Sequence, residues 1–236
     1  MRAILTGEHA WCQLFSEPGA GSDLASLATR AERDGEEYVL DGQKVWTSGA
    51  QVADYGLLLA RTNAEAPKHR GITCFALRMD QPGVEVRPLR QMTGDAMFNE
   101  VFLTGARVSA ADIIGEPGAG WGVALTTLAH ERTGLGARAG TGFAVTAPGG
   151  SRFRAEREVP AGEYVAAVRR RGPLGGAVAG QALAAPAPAI YGGSDQIQRN
   201  VIGERVLGLP REPDVSRDVP FRELKKGIQG QEAGSL

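Results

Sequence analysis

The chain has 236 residues and a formal net charge of −1. That is length enough for one well-cored domain or a domain plus a fragment, with no charge excess to draw nucleic acid or an anionic membrane. Its two cysteines, Cys12 and Cys74, have no metal-ligand spacing and cannot make a disulfide framework, so a reducing, cytoplasmic setting is expected. The opening MRAILTGEHAW lacks the basic-then-apolar layout of a secretory signal, and no run approaches the roughly 18 apolar residues of a membrane span.

Residues 1–117 read as a β domain. Glu37–Trp46 predicts a hairpin, YVL and QKVW around Asp41-Gly42, a dipeptide that tolerates the positive φ of a tight turn. Tyr55–Thr62 (YGLLLART) and Gly71–Met79 (GITCFALRM) are largely apolar, as in strands buried on both faces. Val84–Met92 alternates, as in a half-exposed strand, and Phe98–Val108 is a further strand with a glycine near its end. Pro82, Gly83, Pro117 and Gly118 punctuate the loops. Several short strands separated by turns predict an antiparallel barrel or sandwich, and with the helices that follow, an α+β protein.

Residues 118–136 change period. AGWGVALTTLAHERTGLG predicts a helix with Val123, Leu125, Leu128 and Ala129 on its apolar stripe, and Gly134 and Gly136 either end or weaken it. Residues 137–189 are dominated by Ala, Gly, Pro and Arg and lack Asp, Asn, Lys, Ile, Met, His, Cys and Trp. No period is sustained there, although Tyr164–Arg171 could form a short helix. Residues 190–213 regain globular character: Ser194 is placed to cap a helix from Asp195 to about Val206, ended by Gly208 and Pro210. Residues 214–236 form a polar tail with one short helical candidate, Phe221–Ile228.

Four groups could carry chemistry. Phe15–Asp23 (FSEPGAGSD) is a Gly-Pro loop that can bring backbone N–H groups and the Ser22 hydroxyl close to a ligand, or serve only as a turn. It matches neither a dinucleotide fingerprint nor a Walker loop. Trp46-Thr47-Ser48 sets an aromatic beside two hydroxyls, suited to flank a planar ring or to end a strand. His130-Glu131-Arg132 on a helix points three ways, so one of the three can face a site and the rest are a charged turn. Tyr191-Gly192-Gly193-Ser194-Asp195-Gln196 leaves open amides at a helix start, favourable to an anion or a carbonyl.

Together and in this order, these groups resemble one family. FSEPGAGSDLASLATRAERDGEEYVLDGQKVWTSGA is similar to the middle domain of acyl-CoA dehydrogenases, and IYGGSDQIQRNVIGERVLGLPREP to their C-terminal end. The likeness covers residues 4–136 and 188–213. It implies a middle β domain in residues 1–117, the start of a helical domain in 118–136 and its end in 190–213. It implies FAD as cofactor, an acyl-CoA as substrate and an electron-transfer flavoprotein as acceptor. Gln13, Phe15 and Ser16 match the strand along the flavin, and Trp46, Thr47 and Ser48 match the strip that contacts it. Ser22 matches a serine near both the acyl-CoA and the FAD, and Ser194, Asp195 and Gln196 match positions that contact FAD after the C-terminal turn.

The chemistry implied is α,β-dehydrogenation of a thioester: a carboxylate takes the α-proton while the β-hydrogen leaves as hydride to the flavin. Many members carry the base directly after the tyrosine of the C-terminal turn, where this chain has Gly192. A subset, resembling the isovaleryl and long-chain enzymes, carries it on the helix after the β domain, immediately before an arginine. Glu131 before Arg132 matches that arrangement, and Gly192 leaves room for it. Glu131 is therefore the expected base, with the Gly192 N–H polarising the thioester carbonyl, Gly193 beside the substrate, and Arg132 orienting the helix or the substrate.

The likeness breaks where the family has N-terminal helices and a full C-terminal four-helix bundle. The connection from Glu131 to Gly192 is too short for that bundle, and 137–189 reads either as out-of-frame translation of GC-rich DNA or as an evolved linker. An enzyme, a non-catalytic remnant or partner subunit of a homo- or hetero-oligomer with a complete homologue, and a flavin oxidase are the three readings left open. An apolar face without its bundle would favour self-association.

Overall fold

The computed structural model describes residues 2–91, 94–138, 193–211 and 216–224. After a short helix α1 (Arg2–Leu5) come β1 (Trp11–Leu14), β2 (Arg30–Asp34), β3 (Glu37–Ser48), β4 (Tyr55–Arg61), β5 (Ile72–Arg78), β6 (Val84–Leu89) and β7 (Phe98–Ser109). Among the described residues two longer helices follow, α2 (Gly120–Arg138) and α3 (Asp195–Arg205). The strands form one curled, mostly antiparallel sheet in the order β1-β4-β2-β3-β7-β6, with β5 paired to β4. This is the middle-domain type of fold that the resemblance implied, with α2 and α3 as its longer helices among the described residues.

Two pairings are parallel. β1 lies along Tyr55–Leu58 of β4, and β2 joins the same strand further on, through Arg30 and Arg61. The chain between β1 and β2, residues 15–29, therefore leaves the sheet and returns to pair with the same neighbour, β4, further along. That excursion is the FSEPGAGSD loop.

The apolar runs have the explanation their composition suggested. Successive strand side chains point to opposite faces, and on β4 and β5 both faces are covered. Leu58, Ala60, Phe75 and Leu77 join one core with Leu14, Tyr38, Leu40, Val101 and Leu103. Leu59, Ile72 and Cys74 join another with Phe15, Leu24, Leu27 and Ala124 of α2. β6 has one half-buried face, and its side chains alternate accordingly.

The Asp41-Gly42 hairpin does not form. β3 runs unbroken through it for 12 residues, and the tight turn lies one strand-length earlier, where Asp34 faces Glu37 across Gly35 at φ 62°. Gly42 serves a close approach instead: a Cβ there would sit 2.7 Å from the Thr29 Cα. The α2 stripe also differs. Ala124 is buried and Trp121, Val123 and Leu128 pack with it, whereas Leu125 is 43% exposed and Ala129 is also outward. Gly134 and Gly136 lie within α2 and do not end it. In the tail only a 3-10 turn, Phe221–Glu223, stands where a longer helix was expected, and residues 225–228 are outside the described residues. Residues 139–189, with the helix candidate Tyr164–Arg171, are also outside them. Among the described residues no helix is long and apolar enough to cross a membrane.

One buried ion pair ties the excursion to the sheet. Lys44 on β3 is fully buried, and its Nζ donates to Glu17 Oε1 at 2.8 Å and to the Phe15 carbonyl at 3.0 Å. Glu17 also accepts from the Ala28 N–H at 2.7 Å and the Thr29 N–H at 3.0 Å. A single carboxylate thus joins the loop's entry, its exit and β3. Burial alone would raise the Glu17 carboxyl, but the Lys44 charge and the hydrogen bonds from Lys44 and Ala28 hold it below its ordinary value. Burial also lowers the Lys44 ammonium, with Glu17 opposing that and Arg61 adding to it. The two directions disagree about whether the charged pair is favoured. The geometry sides with Glu17, since the ammonium has two acceptors at 2.8 and 3.0 Å and the carboxylate two amide donors besides.

Breaking such a pair from one side leaves an unpaired buried charge. Lys44→Met is expected to lower stability by about 3–5 kcal/mol in chemical denaturation, and Lys44→Met/Glu17→Gln to recover part of it. A loss below about 1 kcal/mol for the single change would show that the pair holds nothing. Because the folded Glu17 pKa lies below its ordinary 4.5, its contribution is fully present above that value. It is lost as pH falls through the depressed one. Glu17→Gln should therefore flatten the acid limb of the stability–pH curve, and an unchanged limb would assign acid unfolding to other groups.

Candidate functional site

The loop is built tightly at its tip and is open beyond it. Glu17 and Ala20 exchange backbone hydrogen bonds at 3.0 and 3.1 Å across Pro18-Gly19. Ser22 then stands exposed. Asp23 is held by both of its oxygens to Lys68 Nζ, at 2.9 and 3.0 Å, and by the Ser26 hydroxyl. Burial would raise the Asp23 carboxyl, but Ser26 and Lys68 keep it low. Phe15 has its ring in the core, 2% exposed, and meets the site only through its backbone.

The next part of the site is a bulge in β3. Between Lys44 and Thr47 the register with β7 shifts, so that Val45 and Trp46 together face Glu100. The Val45 N–H donates to the Ser16 carbonyl at 2.9 Å instead of to the sheet. Such a bulge re-aims side chains. Trp46 takes a left-handed φ of 61°, the one positive φ among the described non-glycine residues, and its indole is 58% exposed. Its packing partner is the Phe98 ring, edge-on at 5.7 Å. Thr47 is 1% exposed with its Oγ1 buried and unpartnered, and Ser48 is exposed beside it. Backbone strain, an exposed indole and an orphaned hydroxyl in three consecutive residues are what a binding strip for a flat, polar-edged ligand requires.

α2 brings in the carboxylate. Its start is pressed on β5: a Cβ on Gly120 would meet the Thr73 backbone at 2.7 Å, and the Gly118 N–H donates to Thr73 Oγ1 at 2.9 Å. From that anchor the helix rises for roughly three turns, and Glu131 arrives with Oε2 3.4 Å from Gln13 Nε2 on β1, which donates to it. Glu131 and Gln13, more than a hundred residues apart, are thus the two expected site residues that the structure places in direct contact. His130 is exposed. The side chain of Arg132 and the whole of Gly192 lie outside the described residues. Gly193 has φ 91°. Ser194 Oγ caps α3 by accepting from the Ile197 N–H at 3.4 Å, and Asp195 and Gln196 are exposed in its first turn.

Sequence reasoning missed Glu17, Lys44 and Arg61. Lys44 had a signal: it stands mid-strand just before the apolar Val45-Trp46, and a charge that turns inward from a strand needs a buried partner.

Residues 12–105 match the family model for the acyl-CoA dehydrogenase middle domain. Acyl-CoA dehydrogenase IpdE1 of Mycobacterium tuberculosis is 38% identical, over 86% of this chain and 67% of its own length. That alignment runs over 265 residues, more than the 236 of the chain, so IpdE1 carries stretches with no counterpart here. FadE34 of the same organism is 56% identical over 133 residues, where the chain spans 19% of its length. Among solved structures, the Tcur3481-Tcur3483 steroid ACAD superposes with a TM-score of 0.68 at 27% identity, over 89% of this chain and 71% of that one. The ChsE4-ChsE5 complex from Mycobacterium tuberculosis superposes with a TM-score of 0.65 at 28% identity, with the same coverage.

If Trp46 is kept for a ligand and not for packing, Trp46→Gly should leave urea-denaturation stability unchanged or raise it by about 1 kcal/mol, since relief of the left-handed φ offsets the lost ring contact. A loss well beyond about 1 kcal/mol would make the indole a packing residue.

Proposed function

The chain belongs to the acyl-CoA dehydrogenase family, and from that premise we propose that it takes part in FAD-dependent α,β-dehydrogenation of an acyl-CoA thioester with Glu131 as the base. The observation that carries this reading is the Gln13–Glu131 contact, because it places the expected base against a side chain expected to lie along the flavin. The site fits FAD in its own terms: the exposed Trp46 offers a face to a flat ring system, and the buried, unpartnered Thr47 Oγ1 lies next to it. Gln13, Ser16, Trp46, Thr47 and Ser48 would hold the isoalloxazine, with Phe15 contributing backbone, and Ser194, Asp195 and Gln196 would approach the cofactor from α3. When bound, FAD supplies the hydride acceptor.

The chain's own residues have three tasks. Glu131 receives the α-proton of the thioester and needs to be held within contact distance of it, and Gln13 and the anchored α2 hold it. The Gly192 N–H donates to the thioester oxygen as negative charge gathers there. Ser22, exposed on its pinned loop, reaches the acyl-CoA, and Gly193 and Arg132 complete the substrate side. A steroid acyl-CoA thioester is the substrate to assay first, in view of the Tcur3481-Tcur3483 steroid ACAD neighbour. An electron-transfer flavoprotein is the acceptor the family implies.

We further propose that the working form is a hetero-oligomer with a complete homologue. IpdE1 has stretches that this chain lacks, the neighbour from Mycobacterium tuberculosis is a complex of two named proteins, and Leu125 points outward from the helix that a bundle would cover. A purely non-catalytic remnant is the less favoured reading, because the loop, the bulged strip and the carboxylate are in place together.

The test is the visible spectrum of the protein, alone and co-purified with a complete homologue, after loading with FAD and desalting. A retained flavin band that bleaches anaerobically with the acyl-CoA is expected, and Glu131→Gln should slow the bleaching by about 10²–10⁴-fold while the band stays. Equal bleaching in Glu131→Gln would remove Glu131 from the role of base. A colourless protein in both preparations would overturn the proposal.

A further inference from the structure

We propose that Phe221 is a positioning residue that acts through Arg61 on the loop carrying Ser22, so that residues 216–224 form a strap securing that loop from behind. The segment is docked, not trailing. The Phe221 N–H donates to the Ala66 carbonyl at 3.0 Å and the Arg222 N–H to the Ala64 carbonyl at 3.1 Å. Pro220 bridges to Pro67, and Arg222 pairs with Glu65 at 2.8 Å. These contacts fix the Phe221 ring under the Arg61 guanidinium, with the Arg61 Cζ 3.6 Å from the ring centroid.

Arg61 is the link to the loop. It is 5% exposed and donates from Nη2 to the Ala25 carbonyl at 2.7 Å, from Nε to that of Leu27 at 3.1 Å and from Nη1 to that of Lys68 at 3.0 Å. Ala25 and Leu27 follow Ser22-Asp23 directly, and the next two amides, those of Ala28 and Thr29, are the ones that Glu17 accepts. The connection therefore runs from the ring to the guanidinium, to the two carbonyls and into the carboxylate that closes the loop.

The ring matters because of what Arg61 lacks. Among the described residues it has no carboxylate within ion-pair distance, its hydrogen-bond acceptors are three neutral carbonyls, and the Glu17 charge reaches it only from beyond contact. Burial lowers its pKa to about 10. An aromatic face is an electrostatic partner for a desolvated guanidinium, and it also shuts out water. Arg61 and Phe221 both line the cleft shared with Arg30, Tyr38, Asn63 and Arg222, and without the ring covering the guanidinium, hydration from that cleft would compete with the Ala25 and Leu27 carbonyls. Gly71 closes the arrangement from the other side, since a Cβ there would lie 3.1 Å from Arg61 Nη1.

The securing of the loop is independent of the activity proposed above; only its value for binding acyl-CoA and FAD rests on that reading. Amide hydrogen exchange of the full chain, without cofactor, tests it. Phe221→Ala and Phe221→Leu should each speed exchange at residues 24–29 about tenfold or more, as expected for loss of a desolvated cation–π contact. Residues 84–89 and 98–109 should stay at the wild-type rate, and Phe221→Trp should keep the wild-type pattern throughout. Unchanged exchange at 24–29 in Phe221→Ala, or an equal acceleration in β6 and β7, would overturn the proposal. Wild-type behaviour of Phe221→Leu would overturn it too, by reducing the ring to apolar cover.

Discussion

The architecture depends on a charge placed where charges are costly. Lys44 sits mid-strand with no exposed surface, and what makes it tolerable is a loop folded so that Glu17 and the Phe15 carbonyl meet it. A buried pair of this sort is weak evidence for net stability and better evidence for uniqueness. The buried ammonium ties the entry of the 15–29 excursion to β3, and the core side chains Phe15, Leu24 and Leu27, with Arg61 on the Ala25 and Leu27 carbonyls, hold the rest. The same carboxylate takes the amides of Ala28 and Thr29, so satisfying Lys44 also fixes where β2 begins.

Positions elsewhere follow from that constraint. The bulge after Lys44 frees the Val45 N–H for Ser16 and turns Trp46 outward. β4 and β5, covered on both faces, provide the rigid floor on which Gly120 lets α2 come to backbone contact. The helix is then aimed by the sheet, and where α2 starts brings Glu131 within hydrogen-bond reach of Gln13.

Parts of this were legible beforehand and parts were not. The runs YGLLLART and GITCFALRM announced doubly covered strands because continuous hydrophobicity has few other uses at that length, and Ser194 announced a helix cap. Asp41-Gly42 misled because a glycine needed for close approach to Thr29 looks the same in sequence as one needed for a turn, and only the partner strand distinguishes them. Leu125 and Ala129 misled for a related reason: α2 packs through Ala124 and Gly120 as well as Trp121, Val123 and Leu128, a face turned away from the one that Leu125 and Ala129 share. As for the site, periodicity and spacing alone supplied four ambiguous groups. The family resemblance supplied their order and roles, and the contact between Gln13 and Glu131 became visible only in three dimensions. Lys44 and Arg61 were hidden because a charged side chain is read as solvated until its burial is seen.

The parallel pairing of β1 with β4 bears on how the molecule is made. During synthesis β1 emerges well before β4, its strand partner among the described residues, and neither can pair until the intervening hairpin and loop exist. The loop's last support arrives much later still, since Arg222 meets a Glu65 that is 157 residues earlier in the chain. Closing contacts of such separation defers the gain until most of the entropy has been spent. The nascent domain therefore has its sheet partners in hand well before the 216–224 segment arrives, and in that interval the loop lacks its last support and is open to a chaperone or a neighbouring nascent chain.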